Sequence, residues 1–214
     1  MQIAILLFEG FTALDAVGPY QMLSPAPGAE TVFVAERTGP VLDNRGSLSL
    51  VAEKTLAEVT APDILVVPGG PGQTGQMENE PLLDWLRAVD TTSTWTTSVC
   101  TGTLLLAAAG LLRGRQATSH WLALETLRTF GVEPTGRRVV IDGKYVTAAG
   151  VSSGIDMGLT LLGTLAGDRF ARSVQLLTEY DPQPPYDAGS PDKAPADLVE
   201  ELRAKSRFSL QRSS

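Results

Sequence analysis

The stretch Trp95-Thr96-Thr97-Ser98-Val99-Cys100-Thr101-Gly102-Thr103 opens on β-favouring residues and runs into Leu104 to Leu112, an apolar, alanine-rich segment of helical character. It reads as a buried strand turning sharply into a helix, with the only cysteine of the chain at the turn. A helix start leaves backbone N–H groups unpaired and carries the positive end of the peptide dipoles, so a Cys100 thiolate is expected to be favoured. Cys100 is therefore a candidate nucleophile. The competing reading is a packed structural cysteine, because free cysteine is among the most buried residue types.

The turn has the strand–nucleophile–helix form of a hydrolase elbow, with Ser98 where that pattern carries glycine. Two similar turns precede it. Gln2 to Phe8 is almost wholly apolar, as a strand covered on both faces must be, and leads through Glu9-Gly10-Phe11-Thr12-Ala13-Leu14-Asp15 into a short helix ending near Leu23. Ile64 to Val67 is followed by Pro68-Gly69-Gly70-Pro71-Gly72-Gln73-Thr74-Gly75. Gly70, Gly72 and Gly75 match Gly-x-Gly-x-x-Gly, but Pro71 and Pro81 oppose the long helix a dinucleotide loop needs, and no Gly-Lys-Ser/Thr ending marks a Walker loop. A phosphate site is rejected. Gly69 and Gly70 are instead expected to bring backbone N–H groups close to a reacting atom.

Farther out, Thr31 to Ala35 is a strand, Val41 to Lys54 a hairpin or edge excursion, and Glu80 to Val89 an amphipathic helix. Gln116 to Ser119 is a short strand ending at His120-Trp121, and Leu122 to Phe130 a helix stopped by Gly131. Arg137 to Thr147, with Asp142-Gly143 at its tip, is a hairpin. Ser152 or Ser153 caps a helix from Ile155 to Leu165, and another helix runs from Asp168 to about Glu179. Tyr180 to Pro195 is too proline-rich for helix or central strand, and a last helix runs from Ala196 to about Phe208. Strands alternating with helices predict one domain over 1–214, an α/β doubly wound, mainly parallel sheet with helices on both faces, flavodoxin-like. Ligands bind beyond the carboxyl ends of such strands, so Asp15, Gly70 and Cys100 are expected to converge on one crevice.

Composition narrows the function classes. Hydrophobic residues at 43% and charged residues at 19% mark a globular chain, and no apolar run approaches the roughly 18 residues of a membrane span. The N-terminus reads as a first strand and not a signal peptide, so a cytoplasmic location is expected. A net charge of −7 without a Lys/Arg cluster argues against a nucleic-acid partner. One cysteine excludes an internal disulfide, and one histidine without a second thiol argues against zinc; no metal is expected.

Ser98-Val99-Cys100-Thr101-Gly102, the glycine pair, Ala117-Thr118-Ser119-His120-Trp121 and Leu14-Asp15-Ala16-Val17-Gly18-Pro19 resemble the PfpI-like branch of the class I glutamine-amidotransferase-like superfamily. The resemblance covers nearly the full length. Within that branch, the segment Glu179 to Asp192 is similar to the tail of isonitrile hydratases, also called isocyanide hydratases. The resemblance implies a cofactor-independent, homodimeric hydro-lyase with Cys100 as nucleophile, Thr101 beside it and Asp15 as the acidic partner. Protease and amidotransferase relatives place a histidine just after the cysteine, or a His/Glu pair well downstream. Here Thr101 fills the first place and no second histidine exists, which argues against Cys–His proteolysis.

The expected chemistry is attack of the Cys100 sulfur on an isonitrile carbon while Asp15 delivers a proton, giving a thioimidate that water hydrolyses to a formamide. The Gly70 and Thr101 N–H groups would stabilise the hydrolytic intermediate, and burial beside a thiolate would raise the Asp15 pKa. Each residue has a plainer reading. Asp15 could be the N-cap of a helix starting at Ala16, and the Thr101 hydroxyl could merely bond the first turn. His120 and Trp121, with Gly69, are placed behind the reacting groups or in the pocket wall, against a packed core histidine and a packed aromatic. Glu9 reads as a solvated turn carboxylate. The alternative class is a sensor: the ligand-sensing domain of AraC-type regulators, which continue into a helix-turn-helix absent here, or a redox sensor whose cysteine oxidises reversibly.

Overall fold

The apolar N-terminal run forms β1 (Gln2–Leu6), buried from Ile3 onward as expected of an interior strand. The structure, a computed structural model, describes residues 1–208. After β1 come α1 (Ala13–Leu23), β2 (Glu30–Ala35), β3 (Gly39–Leu42), β4 (Ser49–Ala52) and β5 (Lys54–Thr55). Then follow β6 (Ile64–Val67), α2 (Gln73–Gln76), α3 (Glu80–Thr92), β7 (Trp95–Val99) and α4 (Gly102–Ala108). The remainder comprises β8 (Gln116–Ala117), α5 (Leu124–Arg128), β9 (Glu133–Pro134), β10 (Val139–Asp142), β11 (Tyr145–Ala148), α6 (Ser153–Ala166), α7 (Asp168–Leu177) and α8 (Ala196–Ala204).

Seven strands make the central sheet in the order β10-β11-β7-β6-β1-β2-β5, parallel throughout except for the antiparallel edge strand β10. Adjacent residues of β7 show how it is covered. Val99 meets α6 at Gly154, whereas the Ser98 hydroxyl meets Thr103 of α4, so the two helices lie on opposite faces. α1 and α7 join α6 on one face, and α3 joins α4 on the other. The chain winds outward from β1 through β2 to β5, then returns past β1 to β6 and β7. The switch point therefore lies between β1 and β6.

Several boundaries differ from the sequence reading. Ser152 occupies the N-cap of α6, but its hydroxyl accepts a hydrogen bond from Arg138 Nη2 at 3.1 Å instead of capping the helix. The helix read over Leu122 to Phe130 is a 3-10 turn at Trp121–Ala123 followed by α5. The strand read to Ser119 stops at Ala117 because the Thr118 amide bonds the Thr147 hydroxyl at 2.9 Å. The proline-rich arm contains neither helix nor strand, and its first residue is tied to α6 by the Tyr180 hydroxyl donating to Asp156 at 2.9 Å. Among the described residues no helix is long and apolar enough to cross a membrane.

Candidate active site

The switch point gathers the loops after β1, β6 and β7. Asp15 is fully buried in the first turn of α1, whose N-cap is Thr12, so the N-cap reading of Asp15 fails. Its Oδ2 accepts the Gly69 N–H at 3.0 Å, and the Cys100 thiol lies close enough to influence the carboxyl's titration. Oδ1 is buried without a hydrogen-bond partner. Burial raises the Asp15 pKa to about 7, against the smaller opposing pull of the Gly69 amide and the thiol. The protonated carboxyl expected from the sequence is thus populated near neutrality.

Cys100 sits at φ 59, a left-handed conformation uncommon for a residue with a Cβ. Its surroundings hold it there. The Cys100 amide donates to Ala148 O and Ala149 O at the end of β11, and its carbonyl accepts the Ser119 hydroxyl at 2.8 Å. Below the turn, Ser98 Oγ and Thr103 Oγ1 are 2.8 Å apart, and Thr103 donates to Thr118 O at 2.8 Å. A Cβ on Gly102 would lie 2.2 Å from Val67 O, so only glycine fits where α4 leaves the elbow.

The resting thiolate expected from the helix start is not what this environment favours. Cys100 is only 5% exposed, and burial pushes its thiol well above the ordinary range, with the Asp15 charge adding to the shift. The Thr101 amide and the Arg207 charge act the other way but are weaker. Loss of hydration outweighs what one short helix end supplies. The stable neutral-pH pair is therefore a thiol beside a carboxyl that titrates near 7.

Gly69 and Gly70 close the third side. A Cβ on Gly69 would stand 2.5 Å from the Thr101 nitrogen and 3.0 Å from Cys100 Cβ, and Gly70 has φ +135 with Gly10 and Thr12 backbone against it. The Gly70 N–H, expected to face an intermediate, instead donates to Thr101 Oγ1 at 3.0 Å. The Thr101 hydroxyl thus crosses to the β6 loop and does not bond its own helix turn. The Thr101 amide is the one aimed at sulfur. Gly70 and Gly72 pack on the backbone of the β1 loop, Gly72 against the Glu9 carbonyl, whereas a Cβ on Gly75 would meet nothing.

His120 is half-buried, and its Nδ1 accepts the Leu122 N–H at 3.3 Å. Burial, and then the Arg207 charge, lower its pKa, which keeps the ring neutral. Gly150 separates it from the thiol: a Cβ there would be 2.6 Å from His120 Cδ2 and 3.2 Å from Cys100 Sγ. Trp121 lies farther out, under the Arg203 guanidinium at 5.6 Å, in the wall of a hollow of about 400 Å³ shared with Glu125 and Phe208. Glu9 is exposed and accepts the Leu42 amide, as a turn carboxylate would. Among the described residues no group of three or more His, Cys, Asp or Glu could hold a metal ion. Sequence reading missed Ser119 as the anchor of the Cys100 carbonyl, Gly150 as the spacer and Arg207 as a neighbour of the site. Only Ser119, next to His120, carried any local signal.

Similarity to known proteins agrees with this fold. The chain is 42% identical over 211 residues to an isonitrile hydratase of Pseudomonas putida, covering 99% of this chain and 92% of that one. An HTH-type transcriptional regulator of Pseudomonas aeruginosa is 33% identical over 176 residues, which cover 79% of this chain and 52% of the regulator. The crystal structure of a ThiJ/PfpI family protein from Pseudomonas syringae matches with a TM-score of 0.92 at 38% identity, covering 95% of this chain and 84% of that one. The family pattern of DJ-1/PfpI matches residues 1–164. With its elbow cysteine at the switch point of a mainly parallel sheet, the chain belongs to the DJ-1/PfpI family.

Proposed function

We propose that the protein hydrates isonitriles to N-substituted formamides, with Cys100 as nucleophile and Asp15 as proton carrier. The observation that carries this reading is the juxtaposition of a buried thiol and a buried carboxyl, each shifting the titration of the other, with one carboxyl oxygen left without a hydrogen-bond partner. The likeness to an isonitrile hydratase supports it. An isonitrile, R–N≡C, must gain a nucleophile and a proton at its terminal carbon, and such a pair supplies both. The Asp15 carboxylate takes the thiol proton as sulfur approaches and passes it to that carbon, leaving R–N=CH–S–Cys100. Water then adds to the thioimidate carbon, with Asp15 taking a proton from the water and the nitrogen gaining one. The tetrahedral R–NH–CH(OH)–S–Cys100 collapses to R–NH–CHO, the C–S bond breaks, and the thiol regains its proton.

This order needs no free thiolate at rest, which fits a cysteine whose pKa is raised by burial. The Thr101 amide, aimed at sulfur, stabilises the anion as it forms. The substrate is uncharged, so no arginine clamp on it is required, and both the nucleophile and the proton come from the chain without a cofactor. The test follows the loss of isonitrile absorbance with wild-type, Cys100→Ala and Asp15→Asn proteins. Turnover confined to the wild type supports the reading; Cys100→Ala turning over at the wild-type rate ends it. A sensing role is the second reading, favoured by the likeness to a transcriptional regulator. It is distinguished by ligand binding or reversible Cys100 oxidation without formamide release.

A further inference from the structure

Arg207 follows α8 and reaches back over the crevice. Its Nη1 donates to Pro71 O at 2.7 Å and Thr74 Oγ1 at 3.1 Å, and its Nη2 to Gly70 O at 3.2 Å and Gln73 Oε1 at 3.1 Å. Four bonds from one planar fork to one loop form a clamp that a point-charge lysine cannot reproduce. The clamped loop borders the reacting pair: the Gly70 amide holds the hydroxyl of Thr101, next in sequence to Cys100, and the adjacent Gly69 amide holds Asp15. The segment is seated on both sides of Arg207. Arg203 lies over the Trp121 ring at 5.6 Å, and Phe208 packs against the core with its ring 4.8 Å from the Arg207 guanidinium carbon. The stem of Arg207 is largely exposed, whereas its Nη2 end turns inward.

We propose that Arg207 is a positioning residue for the Cys100–Asp15 pair, its guanidinium fixing the Gly70–Thr74 loop and turning a positive charge toward the thiol. The charged and titratable groups bearing on Cys100 are then Asp15 from α1, the neutral His120 across Gly150, and Arg207 from the C-terminal segment. The charge favours the sulfur anion as it forms, and the clamp keeps Asp15 and Thr101 at their partners. The proposal rests on Cys100 being the reacting nucleophile. It does not depend on the substrate being an isonitrile.

The test measures alkylation of Cys100 by iodoacetamide against pH in full-length wild-type, Arg207→Ala and Arg207→Lys proteins, alongside isonitrile turnover. For Arg207→Ala the alkylation profile should move upward by about one pH unit, which slows the reaction about tenfold on the rising limb. Added guanidinium ion should restore much of the lost rate, and Arg207→Lys should fall between. A superimposable profile, or faster alkylation at every pH without a shift, overturns the proposal, because the segment then has no influence or merely shields the thiol. Loss of wild-type isonitrile turnover with the Arg207 shift intact would remove the hydratase reading and leave this inference standing.

Discussion

Asp15 and Cys100 act on each other's titration although the strands that lead to them, β1 and β7, are not neighbours; β6 lies between them, and the Gly69 amide just beyond it holds the Asp15 carboxyl. The sheet thus brings a carboxyl and a thiol together from opposite sides of one strand.

Replacing Asp15 with Asn should lower isonitrile turnover by about 10²- to 10⁴-fold, the usual contribution of a positioned acid or base. Its effect on stability should have the opposite sign. Folding raises the Asp15 pKa from 3.8 to about 7, so its protonated form stabilises the fold at low pH, and that contribution is lost as pH rises from about 4 through 7. The loss amounts to at most about 4 kcal/mol. Asp15→Asn should therefore be more stable than wild type at pH 8 and close to it at pH 4, as read by urea denaturation at the two pH values.

The pH dependence of kcat/KM should show a one-proton limb near pH 7, with activity rising as the Asp15 carboxyl loses its proton. Above it the rate should stay level until the raised thiol titrates. The thiol–carboxylate and thiolate–carboxylic acid arrangements contain the same number of protons, so the limb belongs to the pair. A rate that falls on passing upward through pH 7 would contradict this assignment.

Gly69→Ala places a methyl 2.5 Å from the Thr101 nitrogen and 2.6 Å from its hydroxyl, with backbone on one side and no room to yield. It should destabilise the protein by about 1–3 kcal/mol. Turnover should fall more than stability does, because the elbow itself must shift. Denaturation and initial rates on the same preparation check both.

Thr101→Val leaves the buried Gly70 amide without its acceptor, at a cost of about 1–3 kcal/mol, whereas Thr101→Ser keeps it. Chemical denaturation should rank wild type and Thr101→Ser together, above Thr101→Val. Equal stability for all three would remove the Thr101–Gly70 bond from the account.

Much of the fold was legible because its interior strands are short apolar or β-favouring runs bounded by Gly, Pro or a helix start, apolar at Ile64 to Val67 and threonine-rich at Trp95 to Val99. The convergence of Asp15, Gly70 and Cys100 followed from their places beyond three strands. Protonation was only half legible: a raised Asp15 pKa follows from burial, but the buried thiol depends on how completely the neighbouring loops exclude water. That exclusion has no local sequence signature. Arg207 was invisible for a related reason, since its contacts on the Gly70–Thr74 loop join chain segments that no periodicity links. At the start of α6 Ser152 takes the N-cap place without capping through its side chain, because its hydroxyl accepts from Arg138.

The central claim, a covalent bond between Cys100 and the isonitrile carbon, is tested most directly by acid-quenched mass spectrometry of the wild-type protein during a single turnover. The account predicts a transient adduct equal to the full isonitrile mass, located on Cys100, decaying as the formamide appears. Formamide produced at full rate with no adduct at any quench time, and equally well by Cys100→Ala, would contradict it.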